Sequence, residues 1–96
     1  MHEHKTAEFQ VTLCLAAESA RRTPCRSGYR PNHKDPVSGA YFMGQFHFDG
    51  EIAAGETTSA TVTVIASAEQ VDTLSRVGTW TLWEGPHYIG YVTLNQ

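Results

Sequence analysis

From Phe9 to Leu15 apolar side chains stand at every second position, Phe9, Val11, Leu13 and Leu15, with Gln10 and Thr12 between them. A two-residue period puts alternate side chains on opposite faces of a pleated strand, so this spacing predicts a first strand with one buried face. The alternation returns from Tyr41 to Asp49, where Phe42, Gly44, Phe46 and Phe48 interleave with Gln45, His47 and Asp49, and Asp49-Gly50 then supplies a tight-turn signal. Between Ser59 and Ala66 the run Thr61, Val62, Thr63, Val64 and Ile65 predicts a third strand, because side chains branched at Cβ suit a pleated, half-buried surface. Ala54-Gly55-Glu56 reads as the turn before it.

Residues Ala68 to Val77 carry Val71, Leu74 and Val77 three apart, the one helix-like spacing in the chain, and so short a stretch predicts a helical turn within a connection. After Gly78 come two strand-like runs, Thr79 to Glu84 and Tyr88 to Leu94, separated by Gly85-Pro86, where proline bars continuous pairing and glycine permits a sharp bend. These form a closing hairpin with Trp80, Leu82, Tyr88 and Val92 expected inside. Several short strands, frequent turns and no long helix predict an all-β fold, a barrel or sandwich, in which closure removes exposed strand edges.

The length of 96 residues suits a single domain over 1–96, with residues 1–6 expected as a flexible N-terminus. A hydrophobic share of 41% against 18% charged excludes the composition of a disordered chain. Gln10 and Thr12 break the early apolar positions, so no signal-peptide core forms. No apolar run reaches the roughly 18 residues of a membrane span, which argues against a membrane partner. Cys14 and Cys25 read as reduced thiols, and the expected setting is cytoplasmic.

Charge alters the picture most between residues 21 and 34. The net charge is -3, yet Arg21, Arg22, Arg26, Arg30 and Lys34, five of the seven Lys and Arg residues, share that acid-free segment. A connection carrying these cations with Tyr29 and His33 has the chemistry to grip phosphates, since guanidinium matches phosphate oxygens in pairs and aromatic rings stack on bases. The same cations also suit an acidic protein partner, or simple pairing with the chain's own acids at little net gain.

Catalytic signatures are missing. There is no Gly-x-Ser-x-Gly elbow, no His-Glu-x-x-His and no Cys-x-x-Cys, so neither an enzyme nor a bound cofactor or metal is expected. His2 and His4 form a His-x-His pair on a terminus without fixed geometry, and His47 alternates with phenylalanines on the opposite face. Trp83 and Tyr91 are expected on the outside of the last hairpin, and with His87 in its turn they form a candidate protein interface, a homodimer among the options.

Thr23-Pro24 followed by Gly28-Tyr29-Arg30-Pro31, with Arg21 upstream, resembles the start of the third, C-terminal β-barrel domain of elongation factor Tu and related translational GTPases. The likeness continues in order through Phe42 and Gly44, Gly55-Glu56, Val62-Thr63-Val64-Ile65, and Glu84-Gly85 with Gly90, and so covers nearly the whole chain. The resemblance implies a six-stranded antiparallel barrel. It also implies contacts to tRNA or to a protein of the translation machinery through Arg21, Arg22, Arg30 and their neighbours, with Tyr29 and Pro31 as positioning residues. Trp83 and His87 stand where the family carries a basic pair beside the Glu-Gly step, which removes part of a phosphate-binding surface and favours protein contact at that end. Asn32-His33 replaces a glutamine-aromatic pair, and Ala54 a proline. No Gly-x-x-x-x-Gly-Lys-Ser/Thr loop exists, so GTP binding of that kind is not expected.

Overall fold

The computed structural model describes residues 4–18 and 23–95. In chain order these form β1 (His4–Leu15), β2 (Cys25–Arg26), β3 (Asn32–Lys34), β4 (Tyr41–His47), β5 (Glu51–Ile52), β6 (Thr57–Ser67), α1 (Ala68–Val77), β7 (Thr79–Glu84) and β8 (His87–Leu94). Six strands close into an antiparallel barrel in the order β1-β6-β4-β3-β7-β8, while β2 and β5 pair apart from it as a two-stranded ribbon. The fold is therefore the all-β, six-stranded antiparallel barrel expected.

Alternation decides which side chains fill it. Val11, Leu13 and Leu15 of β1, Phe42 and Phe46 of β4, and Val62 and Val64 of β6 all point inward and are buried. Burying each such side chain contributes about 1.5–3 kcal/mol, and no second core is needed. β1 starts earlier than its alternation indicates: His4, Lys5 and Thr6 pair with Ser67, Ala66 and Ile65 of β6, so residues 4–6 belong to the sheet and not to a loose terminus. The partner strand is likewise longer than the Ser59 to Ala66 run.

The expected helical turn is a full ten-residue helix. Ser67 Oγ accepts from the Gln70 N–H while Gln70 Oε1 accepts from the Ser67 N–H, both at 3.1 Å, a reciprocal cap on the first turn. Gly78 ends the helix in the left-handed conformation, its N–H donating to the Leu74 carbonyl. Leu74 is fully buried and Val71 packs on the core, supplying the tertiary support that so short a helix requires. No helix among the described residues is long and apolar enough to cross a membrane.

Two inward positions differ from expectation. Sequence alone places His33 in a partner-binding loop, whereas the structure buries it completely. In β3 it lies between outward-facing Asn32 and Lys34, opposite Phe42 on one side and Leu82 on the other, so strand parity turns it into the barrel. There the ring stacks on Phe42 at 5.2 Å, and its Nδ1 accepts a 3.0 Å hydrogen bond from Trp80 Nε1. With Nδ1 accepting, the neutral ring carries its proton on Nε2, which has no hydrogen-bond partner among the described residues. Burial lowers the pKa from 6.5 to about 4, opposed in part by the Gly44 backbone. The second difference is Tyr88. A bulge shifts the register between Leu82 and Trp83, so that Leu82 faces Gly90 but Trp83 faces Tyr88. Ile89 is the extra residue and takes the buried place, leaving Tyr88 outside and half-buried.

Two glycines are required by close approach. A Cβ on Gly44 would lie 2.5 Å from His33 Nε2, and one on Gly90 would collide with the Cys14 carbonyl of β1. Gly44→Ala is expected to cost about 1–3 kcal/mol by overpacking, read as a lowered urea midpoint. Acid should expose the buried imidazole. Because the unfolded ring takes up a proton near pH 6.5 and the folded ring only near pH 4, its contribution is intact above pH 6.5 and is lost as the pH falls between those values. Unfolding free energies measured from pH 7 to 4 should show a loss on the order of 3 kcal/mol that is missing in His33→Gln, which cannot titrate.

Candidate binding face

The connection between β1 and β4 is tied down by backbone contacts. Gly28 donates to the Phe46 carbonyl at 2.7 Å and Phe46 donates to the Tyr29 carbonyl at 2.9 Å, so Gly28-Tyr29-Arg30-Pro31 runs along β4. Tyr29 stacks on Phe46, ring centroids 6.4 Å apart, and its hydroxyl donates to Glu84 Oε2 at 2.6 Å. These contacts fix Tyr29, the neighbour of Arg30, between Phe46 of β4 and Glu84 of β7.

The described cations of this segment diverge. Arg21 and Arg22 lie outside the described residues. Arg26 sits on the small ribbon opposite Glu51, its Nε and Nη2 at 2.6 and 2.5 Å from Glu51 Oε1, so its charge is already matched. Lys34 holds its ammonium 5.1 Å from the centre of the Trp83 ring, a cation–π contact. Arg30 is exposed and makes no ion pair among the described residues. His33 is sealed in the core and cannot reach a partner.

On the hairpin, Trp83 and Tyr91 both face outward, and His87 is exposed beside the turn. Trp83 is half-buried: its Nε1 donates to Thr81 Oγ1 at 2.9 Å, and Tyr88 packs edge-on at 5.7 Å. Tyr91 lies across from Cys14 on β1, and a hydrogen bond with the Cys14 side chain raises its hydroxyl pKa. Burial, and then the charges of Glu18 and Cys14, raise that of Tyr88. Cys14 and Cys25 form no disulfide with each other, and Cys25 is buried. His47 is exposed on the outer face of β4, and His4 on β1; His2 lies outside the described residues. Among those residues no three His, Cys, Asp or Glu side chains come together as a metal site.

The most exposed apolar side chains of the barrel wall are ones the sequence reading passed over. Met43 is 64% exposed, Tyr41 53% and Ile65 45%. Met43 and Ile65 are direct cross-strand partners, flanked in the same row by Asn32 on β3 and Thr6 on β1. Where one sheet face meets water, the outward positions are ordinarily polar, so two adjoining apolar residues there are a departure. The signal was present in the alternation: Met43 and Ile65 occupy the outward parity between buried Phe42 and Gly44, and between buried Val64 and Ala66. Beside them a groove of about 390 Å³ is lined by Thr6, Arg30, Asn32, Met43, Gln45 and Ile65, among others.

No known protein family and no curated protein matches the chain. Removing the Tyr29 hydroxyl tests whether the wall holds the loop. Tyr29→Phe is expected to cost about 1.5–3 kcal/mol in chemical denaturation, the range for a hydrogen bond to a charged acceptor.

Proposed function

We propose that the chain is a non-catalytic binding module, related to the third barrel of elongation factor Tu, that docks a protein on the outer face of β4 and β6. The observation that carries this is the adjacency of exposed Met43 and Ile65 beside Tyr41 on a wall whose core is already complete. Apolar area left in water on a small barrel is a standing free-energy gain for whatever covers it. The six-stranded antiparallel closure is the architecture that such a kinship implies. Binding is favoured over catalysis because, among the described residues, the one histidine whose pKa is strongly displaced, His33, is walled off from any substrate. Two thiols, Cys14 and Cys25, suit the reducing cytoplasm.

A tRNA contact is the second reading, favoured by Arg30, which is exposed and has no acidic partner among the described residues. It stands second because Arg26 is matched by Glu51 and Lys34 lies on Trp83. A second copy is disfavoured as the partner, since each carries a net charge of -3.

Affinity capture from nuclease-treated lysate compares the two. Met43→Asp, checked for native fold by circular dichroism, should lose the protein that the wild type retains, while Arg26→Gln keeps it. Capture that vanishes with nuclease, together with tRNA binding at low salt that Met43→Asp leaves intact, overturns the protein reading in favour of RNA. A concentration-dependent dimer that Met43→Asp abolishes would make the partner another copy.

A further inference from the structure

We infer that the groove on the outer face of β3, β4 and β6 takes an apolar side chain with a carboxylate beside it, presented by an Asp or Glu within an extended segment of the partner protein; this rests on the protein-docking reading above. Three features of the groove combine. Met43 and Ile65 form its apolar part, adjoining across β4 and β6. Among the described residues Arg30 is the one charged side chain that lines it, exposed and without an ion pair. Among the described residues none that lines it is acidic, although the chain as a whole carries ten Asp and Glu residues against seven Lys and Arg. A segment that brings both a hydrocarbon side chain and a negative charge therefore matches the groove on both counts, whereas a basic or purely apolar segment leaves Arg30 without a counter-charge as its water is displaced.

The wall also says how such a segment is held. β4 is paired on one edge with β3 and on the other with β6, and β6 is paired with β4 and β1, so neither offers a strand edge to an incoming backbone along the groove. Recognition falls to side chains. Chain-terminal carboxylates are held by converging backbone N–H groups, which these strands spend on one another; an acidic side chain meeting a guanidinium needs none of them. Gln45 donates its amide to the Gly28 carbonyl at 3.3 Å, keeping the loop that bears Arg30 against the groove. The volume of about 390 Å³ lies at the small end of the range for ligand pockets, roughly 300–1,000 Å³, and suits two neighbouring side chains better than a large ligand.

The test is a methyl-resolved NMR titration of the full chain with the capped dipeptide acetyl-Leu-Glu-amide, beside acetyl-Leu-Gln-amide and acetyl-leucine with its free carboxylate. The chain has two methionines, so the signal lost in Met43→Leu is that of Met43. Acetyl-Leu-Glu-amide should move the Met43 and Ile65 methyl signals. The glutamine probe, or Arg30→Gln with the glutamate probe, should bind roughly two- to five-fold more weakly, the factor an exposed charge pair is worth. Unmoved Met43 and Ile65 signals, equal binding of the glutamate and glutamine probes, or no effect of Arg30→Gln overturns the inference. Tighter binding of acetyl-leucine than of acetyl-Leu-Glu-amide overturns its commitment to an internal acidic residue. These outcomes do not depend on capture of a partner. If the probe fails while Met43→Asp still abolishes capture, the docking face stands and the ligand chemistry falls; if the probe binds while Met43→Asp leaves capture unchanged, the reverse holds.

Discussion

β1 serves two neighbours at once, and the barrel exists because it can. Its twelve residues run beside β6 from His4 to Cys14, while β8 joins its other edge only from Val11 to Leu15. The sheet is therefore rolled shut along the C-terminal half of one strand. At that seam Gly90 stands opposite Leu15 with its missing side chain toward the Cys14 carbonyl, which allows the two backbones to close. Once the seam is made, every strand has a fixed inside. Val11, Val62, Phe46, His33, Leu82 and Val92 all point to the same interior, and the apolar area they bury holds the wall curved.

Strands that bury one face and wet the other announce themselves in the sequence, and β1, β4, β6 and the final hairpin were legible for that reason. β3 was not. Three residues are too few to show a period, and the pair Asn32-His33 reads as polar loop. What makes His33 a core residue is supplied from far along the chain: the indole N–H of Trp80, 47 residues away, and the flat faces of Phe42 and Phe46. The bulge at Ile89 was hidden too, since alternation counted straight from Leu94 assigns the wrong parity to everything before the slip. β2 and β5, two residues each, carry no pattern of their own and are defined only by pairing with each other.

The candidate face was half legible. Arg30 was picked out by its place in a dense run of cations, but a run in sequence is not a patch in space: Arg26 goes to Glu51 on the ribbon and Lys34 to Trp83. Among the described residues, electrostatic matching within the chain thus leaves Arg30 as the cation of the groove. Met43 and Ile65 were overlooked because hydrophobic residues inside strands are read as core by default, and only their parity betrays that they face the other way. Trp83 shows the converse, an aromatic on the outward parity that neighbouring side chains largely cover.

The fit between His33 and Gly44 couples the sizes of two side chains eleven residues apart. A ring that fills the space beside a residue with no side chain leaves neither free to vary alone: enlarging one demands that the other shrink. A side chain introduced at position 44 therefore needs a smaller one at position 33 to make room for it.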